Sequence, residues 1–147
     1  MSKILNHLFI CIVVLFLFSC SDYHKEVRLN KNNIYLHCIS KGLRTTSEYI
    51  VLNNSSGFPN LADGSSNFLV LETDQILYQT FLDSINVYYN TSNSKVLLKN
   101  PNGKINSHPL DFRKYNSLIE NYSQYKKDNN INYFGIRDES LILKNAR

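Results

Sequence analysis

The 147-residue sequence has no Trp, one Met, three Cys, three Pro and five Gly. So little Pro and Gly excludes the collagen-like and Pro-rich linker classes. Charge is scarce as well, at 19% Asp, Glu, Lys and Arg, which with 43% hydrophobic residues excludes a disordered polyelectrolyte. The net charge of +4 is small, and acidic Glu120, Asp128, Asp138 and Glu139 interleave with basic Arg113, Lys114, Lys126 and Lys127. A phosphate-tracking surface needs a concentrated basic patch, so no nucleic-acid partner is expected. No apolar run reaches the ~20 residues of a membrane-spanning helix. What is abundant is Asn, with 20 residues, followed by 10 Tyr and 8 Phe. Asn supplies turns and Tyr favours strands. The length bounds the chain to one small domain plus a targeting segment.

That segment is at the N-terminus. Lys3 precedes Leu8–Phe18, an unbroken apolar run of eleven residues, and the chain turns polar at Ser19-Cys20-Ser21-Asp22. The run has the length of a signal-peptide core. Leu17-Phe18-Ser19-Cys20 resembles a lipobox, the recognition site of the bacterial lipoprotein signal peptidase. Leu17, Ser19 and Cys20 fit the pattern, while Phe18 is bulkier than the usual occupant. The chemistry needs a thiol at Cys20, because a thiolate is the nucleophile that takes up a diacylglycerol group. The resemblance implies a cleaved signal peptide over 1–19, a membrane anchor on Cys20 through its acyl chains (palmitate among them), and a place in the cell envelope. Ser21, rather than an acidic residue, follows the cysteine, and enteric-type sorting then favours the outer over the inner membrane. Cleavage removes Cys11 and lipid occupies Cys20, so Cys38 is the remaining thiol and no intrachain disulfide is possible.

Residues 20–31 read as a lipidated cysteine and polar tether, and 32–147 as a single β-rich domain. From Asn32 the pattern is mostly period two. Ile34–Ile39 and Glu48–Leu52 are expected strands joined near Lys41-Gly42, Asn67–Glu72 a central strand, and Ile76–Leu82 with Ile85–Tyr89 a hairpin. Lys95–Lys99 and Lys104–His108 flank Asn100-Pro101-Asn102-Gly103, a hairpin signal. Asn53–Ser66, rich in Asn, Ser, Gly and Asp, is long for an unstructured loop and marks a candidate functional segment. Phe112, Tyr115, Leu118, Ile119, Tyr122 and Tyr125 form the stripe of one amphipathic helix, with Asp111 as N-cap and Lys126-Lys127 at its end. Asn132–Ile136 and Leu141–Lys144 read as closing strands. The expected fold is mainly β, an antiparallel sheet or small sandwich with one C-terminal amphipathic helix; α+β is the alternative.

Sites for chemistry are few. Asp128, Asn130, Asn132 and Glu139 match positions 1, 3, 5 and 12 of a calcium loop, but Tyr133 stands where the sharp turn needs Gly, and Tyr133–Ile136 reads as a strand. His37 and Cys38 are adjacent on a strand and point to opposite faces, so they cannot chelate one ion. His24 and His108 stand alone in the sequence, and zinc spacing is absent. No nucleophile elbow occurs. Neither a metal nor a cofactor is therefore expected, and no catalytic residue.

Asn33-Ile34-Tyr35-Leu36 through Glu48-Tyr49-Ile50-Val51-Leu52, after a lipobox, resembles the opening hairpin of small β-rich bacterial lipoproteins. The expectation is a non-catalytic, membrane-tethered binding or structural module, with another envelope protein as partner; an immunity protein or inhibitor is a special case. The alternative is a small hydrolase of envelope polymers, which needs a cleft holding a perturbed carboxylate or histidine.

Overall fold

The computed structural model describes residues 22–29, 33–41, 47–99 and 104–145. Leu17, Ser19 and Cys20 lie outside the described residues, as do residues 100–103. Among the described residues nine strands form two sheets, so the chain is mainly β as the alternation implies. Strands β1 (Tyr23–Leu29), β2 (Ile34–Ser40), β3 (Glu48–Asn53), β4 (Asn67–Glu72) and β7 (Lys95–Lys99) make an antiparallel sheet in the order β1-β2-β3-β4-β7. Strands β5 (Gln75–Thr80), β6 (Ile85–Asn90), β8 (Ile105–Leu110) and β9 (Asn132–Gly135) make the second, in the order β8-β6-β5-β9.

The sheets face each other across one core. Leu36, Cys38, Ile50, Leu52, Leu69 and Leu71 point inward from the first sheet and meet Ile76, Ile85, Val87, Tyr89 and Phe134 from the second. Residues on alternate positions look the other way. Leu77, Tyr88 and Tyr133 leave the second sheet outward and pack under Tyr115, Leu118, Ile119, Tyr122 and Tyr125 of two helices, α1 (Phe112–Glu120) and α2 (Tyr122–Asn129). On the first sheet, Ile39, Val51 and Val70 point outward and are covered by Leu61 from the 54–66 loop, with Leu98 and Tyr49. The layers therefore run loop, sheet, sheet, helices.

Four expectations are corrected. The polar stretch read as part of a tether over 20–31 contains β1, hydrogen-bonded along its length to β2. Its Leu29 and Val27 face the core, and its charged Lys25, Glu26 and Arg28 occupy an edge strand, where charge keeps an unpaired edge from recruiting another chain. The hairpin expected across 100–103 does not form. β7 pairs with β4 in the first sheet, and β8 runs parallel to β6 in the second. Parallel strands require a crossover, and β7 lies in the connection between β6 and β8. Pro109, which donates no ladder bond, is accommodated because β8 is an edge.

The single helix expected over 112–125 is two. Asn121 ends α1 by donating its side-chain amide to the Ser117 carbonyl, 2.8 Å, in competition with the helix's own bonding. The Asp111 cap is as expected, its Oδ1 accepting from the Lys114 amide at 2.9 Å. Asn130 closes α2 in the left-handed conformation, φ 53°. Finally, Leu141–Lys144 is helical rather than extended, within α3 (Glu139–Asn145). Asp138 accepts from the Ser140 amide and so starts that helix, while Ile142 anchors it against the aromatic layer.

Candidate functional site: a histidine–glutamate cluster beneath the 54–66 loop

The hairpin register assembles the site. Glu26 on β1 lies directly opposite His37 on β2, and His24 shares Glu26's outward face two residues earlier. Cross-strand partners have Cβ atoms ~5 Å apart, close enough for these side chains to meet. His24 Nε2 is 3.1 Å from His37 Nδ1, and Glu26 Oε2 is 3.6 Å from the same nitrogen. The two imidazoles meet edge to edge with nearly parallel planes, 5.3 Å between centroids and 14° between planes. Tyr35 lies beside His37 and Phe58 beside His24, so four rings line the outer face of β1 and β2.

His37 has no exposed surface, and its far nitrogen is tied down. Nε2 lies 2.9 Å from Asn53 Oδ1 and 3.2 Å from the Ser55 carbonyl oxygen. Asn53 Oδ1 also accepts from the Ser55 amide at 3.2 Å, which fixes it as an acceptor. With two oxygens facing it, Nε2 carries the proton and donates. In the neutral ring Nδ1 is then a bare lone pair directed at His24 and Glu26. Burial draws His37 below its ordinary value of 6.5, and His24 acts in the same sense. The bonds to Asn53 and Ser55 and the charge of Glu26 oppose that shift only in part.

The loop over the site is built, not slack. Its ends meet where Asn53 pairs with Asn67, giving a compact Ω-like turn. Asp63 accepts from the amide and hydroxyl of Ser65 and the hydroxyl of Ser66, at 2.9, 2.6 and 2.7 Å, bonds that hold its carboxyl down at about 2. Asn67 donates its side-chain amide to the Asn60 carbonyl at 2.7 Å. From this frame the Gly57 amide donates to Glu26 Oε2 at 2.7 Å. Gly57 adopts φ +89°, a conformation that favours glycine.

The loop singled out by composition thus covers the one cluster of three His, Cys, Asp or Glu donors found among the described residues, with all its donor atoms within 4.8 Å of one another. His37 and Cys38 do point apart, Cys38 into the core with burial pushing its thiol up to about 12. His24, however, does not stand alone, and the expectation of no metal-binding group meets a set of suitable donors. Strand alternation would have put His24 and Glu26 on one face had the segment been read as a strand.

Other sequence candidates are not assembled. Asp128 lies in α2 and Asn132 in β9, while Glu139 is bonded to Tyr122 and Lys126, so the calcium loop is not formed. His108 stacks on Tyr88 at 5.0 Å. A polar cleft of about 310 Å³ lies between Ser47, Glu48, Glu72, Thr73, Asp74 and Asn93. Burial raises the Glu48 carboxyl above its ordinary value and Asp74 adds to the shift, against the pull of Arg137. Among the described residues no helix is long and apolar enough to cross a membrane. No protein-family model, curated protein or solved structure matches the chain.

Proposed function

We propose that the chain is a lipid-anchored protein of the cell envelope, held in the outer membrane through Cys20, whose domain is a non-catalytic binding module for another envelope protein. The observation that carries this reading is Leu17-Phe18-Ser19-Cys20 at the end of an eleven-residue apolar run. The fold supports it in one respect. β1 begins at Tyr23, three residues beyond Cys20, and three residues span at most about 11 Å. An anchor on Cys20 therefore seats the domain against the bilayer instead of suspending it on a tether. Tyr23 and Phe58, 43% and 53% exposed, sit at this end of β1 and offer aromatic surface to a partner.

Metabolic labelling with palmitate tests the anchor. Wild type takes up label and sediments with membranes, and Cys20→Ala does neither; an unlabelled wild type overturns the reading. Crosslinking in native envelopes tests the module: a stoichiometric partner is expected that is lost in Phe58→Ser.

The second reading, a small hydrolase of envelope polymers, is favoured by the Glu48 cleft, because burial raises the Glu48 carboxyl and a raised carboxyl lining a cleft suits a general acid. Hydrolysis of envelope polymers that disappears in Glu48→Gln would replace the binding module with this activity.

A further inference from the structure

We propose that His24 Nε2, Glu26 and His37 Nδ1 form a binding site for a divalent transition metal of the zinc class on the outer face of the first sheet. The inference stands on the cluster's geometry and holds with or without a lipid anchor.

Separation is the first argument. Ligand bonds of ~2.0–2.1 Å in a tetrahedral zinc site place donor atoms ~3.3 Å apart. The distances of 3.1 Å between the imidazole nitrogens and 3.6 Å from His37 Nδ1 to Glu26 Oε2 bracket that value, and all three donor atoms lie within 4.8 Å of one another. Donor chemistry is the second. Two imidazoles and one carboxylate suit zinc, copper or nickel, whereas calcium and magnesium take oxygen.

The surrounding bonds are the third argument. Metal-bound histidines donate the other ring N–H to an oxygen, and bound carboxylates are themselves hydrogen-bonded. His37 Nε2 has Asn53 Oδ1 and the Ser55 carbonyl, and Glu26 Oε2 has the Gly57 amide. These partners come from β3 and the 54–66 loop, so the metal ties the edge hairpin to the loop. His37 is buried, His24 partly so and Glu26 exposed, so the cluster borders solvent. Three protein ligands with an open fourth position can accept water or a donor atom from a partner.

The competing account is a plain hydrogen bond from His24 Nε2–H to His37 Nδ1, with no metal. Zinc titration of the full chain in detergent micelles, in competition with a chromophoric chelator, separates the two. One equivalent is expected to bind, and cobalt in its place gives a visible d–d band of four-coordinate character. His24→Ala, at a partly exposed edge position, should weaken binding by about 100-fold or more, beyond the ~10–100-fold typical of outer-shell changes, with an unchanged circular dichroism spectrum. Glu26→Gln should also weaken it, and His108→Ala should leave it unaltered. His37→Ala is avoided because its buried site makes misfolding indistinguishable from ligand loss. The proposal is overturned if wild type binds no stoichiometric zinc, or if His24→Ala and Glu26→Gln, both folded, bind it as tightly as wild type.

Discussion

The five-stranded sheet is covered by a loop and the four-stranded sheet by two helices, and the coverings are held by different forces. The helices bury Tyr115 and Tyr122 against Leu77 and Tyr133, while their backbone bonds are satisfied internally. The loop presses chiefly Leu61 onto Ile39, Val51 and Val70, and its order rests on short side-chain bonds from Asn60, Asp63 and Asn53. A covering held by apolar area is lost only with the global fold. One held by a few polar bonds opens locally, at a free energy below that of unfolding. The region fit to respond to a ligand is therefore the loop over His24, Glu26 and His37.

The largest expected effect lies on the helical side. Tyr122 is fully buried, and its hydroxyl accepts from the Tyr133 amide at 2.9 Å while donating to Glu139 at 2.6 Å. Tyr122→Ala should lower global stability by about 3–5 kcal/mol in urea unfolding. A loss below ~1 kcal/mol would mean the helical layer is no better integrated than the loop. Next is Asn53→Ala, which strips the Ser55 amide of its acceptor and leaves His37 Nε2 with the Ser55 carbonyl alone. A cost of about 1–3 kcal/mol is expected, with zinc affinity falling ~10–100-fold. Stability loss without a zinc effect would detach the loop frame from the metal site.

These substitutions also show which parts of the molecule the sequence discloses. β2 to β6 are legible because their residues alternate or run apolar, and Asp111 announces α1. The 54–66 segment is conspicuous by its turn residues. β1 is not legible, because an edge strand with solvent on one face needs little apolar periodicity, and Lys25, Glu26 and Arg28 mask Val27 and Leu29. The cluster is hidden for the same reason. His24 and His37 are 13 residues apart, and only the Glu26–His37 register, which no local pattern encodes, brings them together. The β7–β8 misreading has another cause: the turn-forming residues at 100–103 do not encode which sheet the next strand joins.

Gly57→Ala carries a smaller effect. No atom lies within 4 Å of the added carbon, so the cost is the strain of φ +89° alone, about 1 kcal/mol. It should appear as faster amide exchange over the loop and weaker zinc binding, with global stability lowered by no more than that amount. Acid provides the counterpart on the helical side. Burial disfavours the charged form of Glu139, but hydrogen bonds from Lys126 and Tyr122 outweigh it and hold the carboxyl below its ordinary 4.5. The unfolded chain therefore binds the proton more readily, and this contribution is complete above about pH 4.5 and fades as pH falls through the lower folded value. A Glu139→Gln variant should flatten the acid limb of stability against pH; an unaltered limb would remove the bonds of Glu139 to Tyr122 and Lys126 from the account.

The smallest global effect, and the sharpest contrast, belongs to Asp63→Ala. Asp63 is half-buried and bonds only within its own loop, so its loss should move the urea midpoint little while freeing Ser65 and Ser66 and loosening the Asn67 amide's bond to the Asp63 carbonyl. Exchange of the loop amides should then accelerate at constant global stability. Cys38, pointing into the inter-sheet core with its thiol pushed up to about 12, is the internal control. It lies on the face of β2 opposite His37, so loop opening alone does not expose it. Thiol labelling at Cys38, read by peptide mass, should proceed at the global unfolding rate in wild type and in Asp63→Ala alike. Faster labelling in the variant would show that the loop and the core open together, and the distinction between the two coverings would fail.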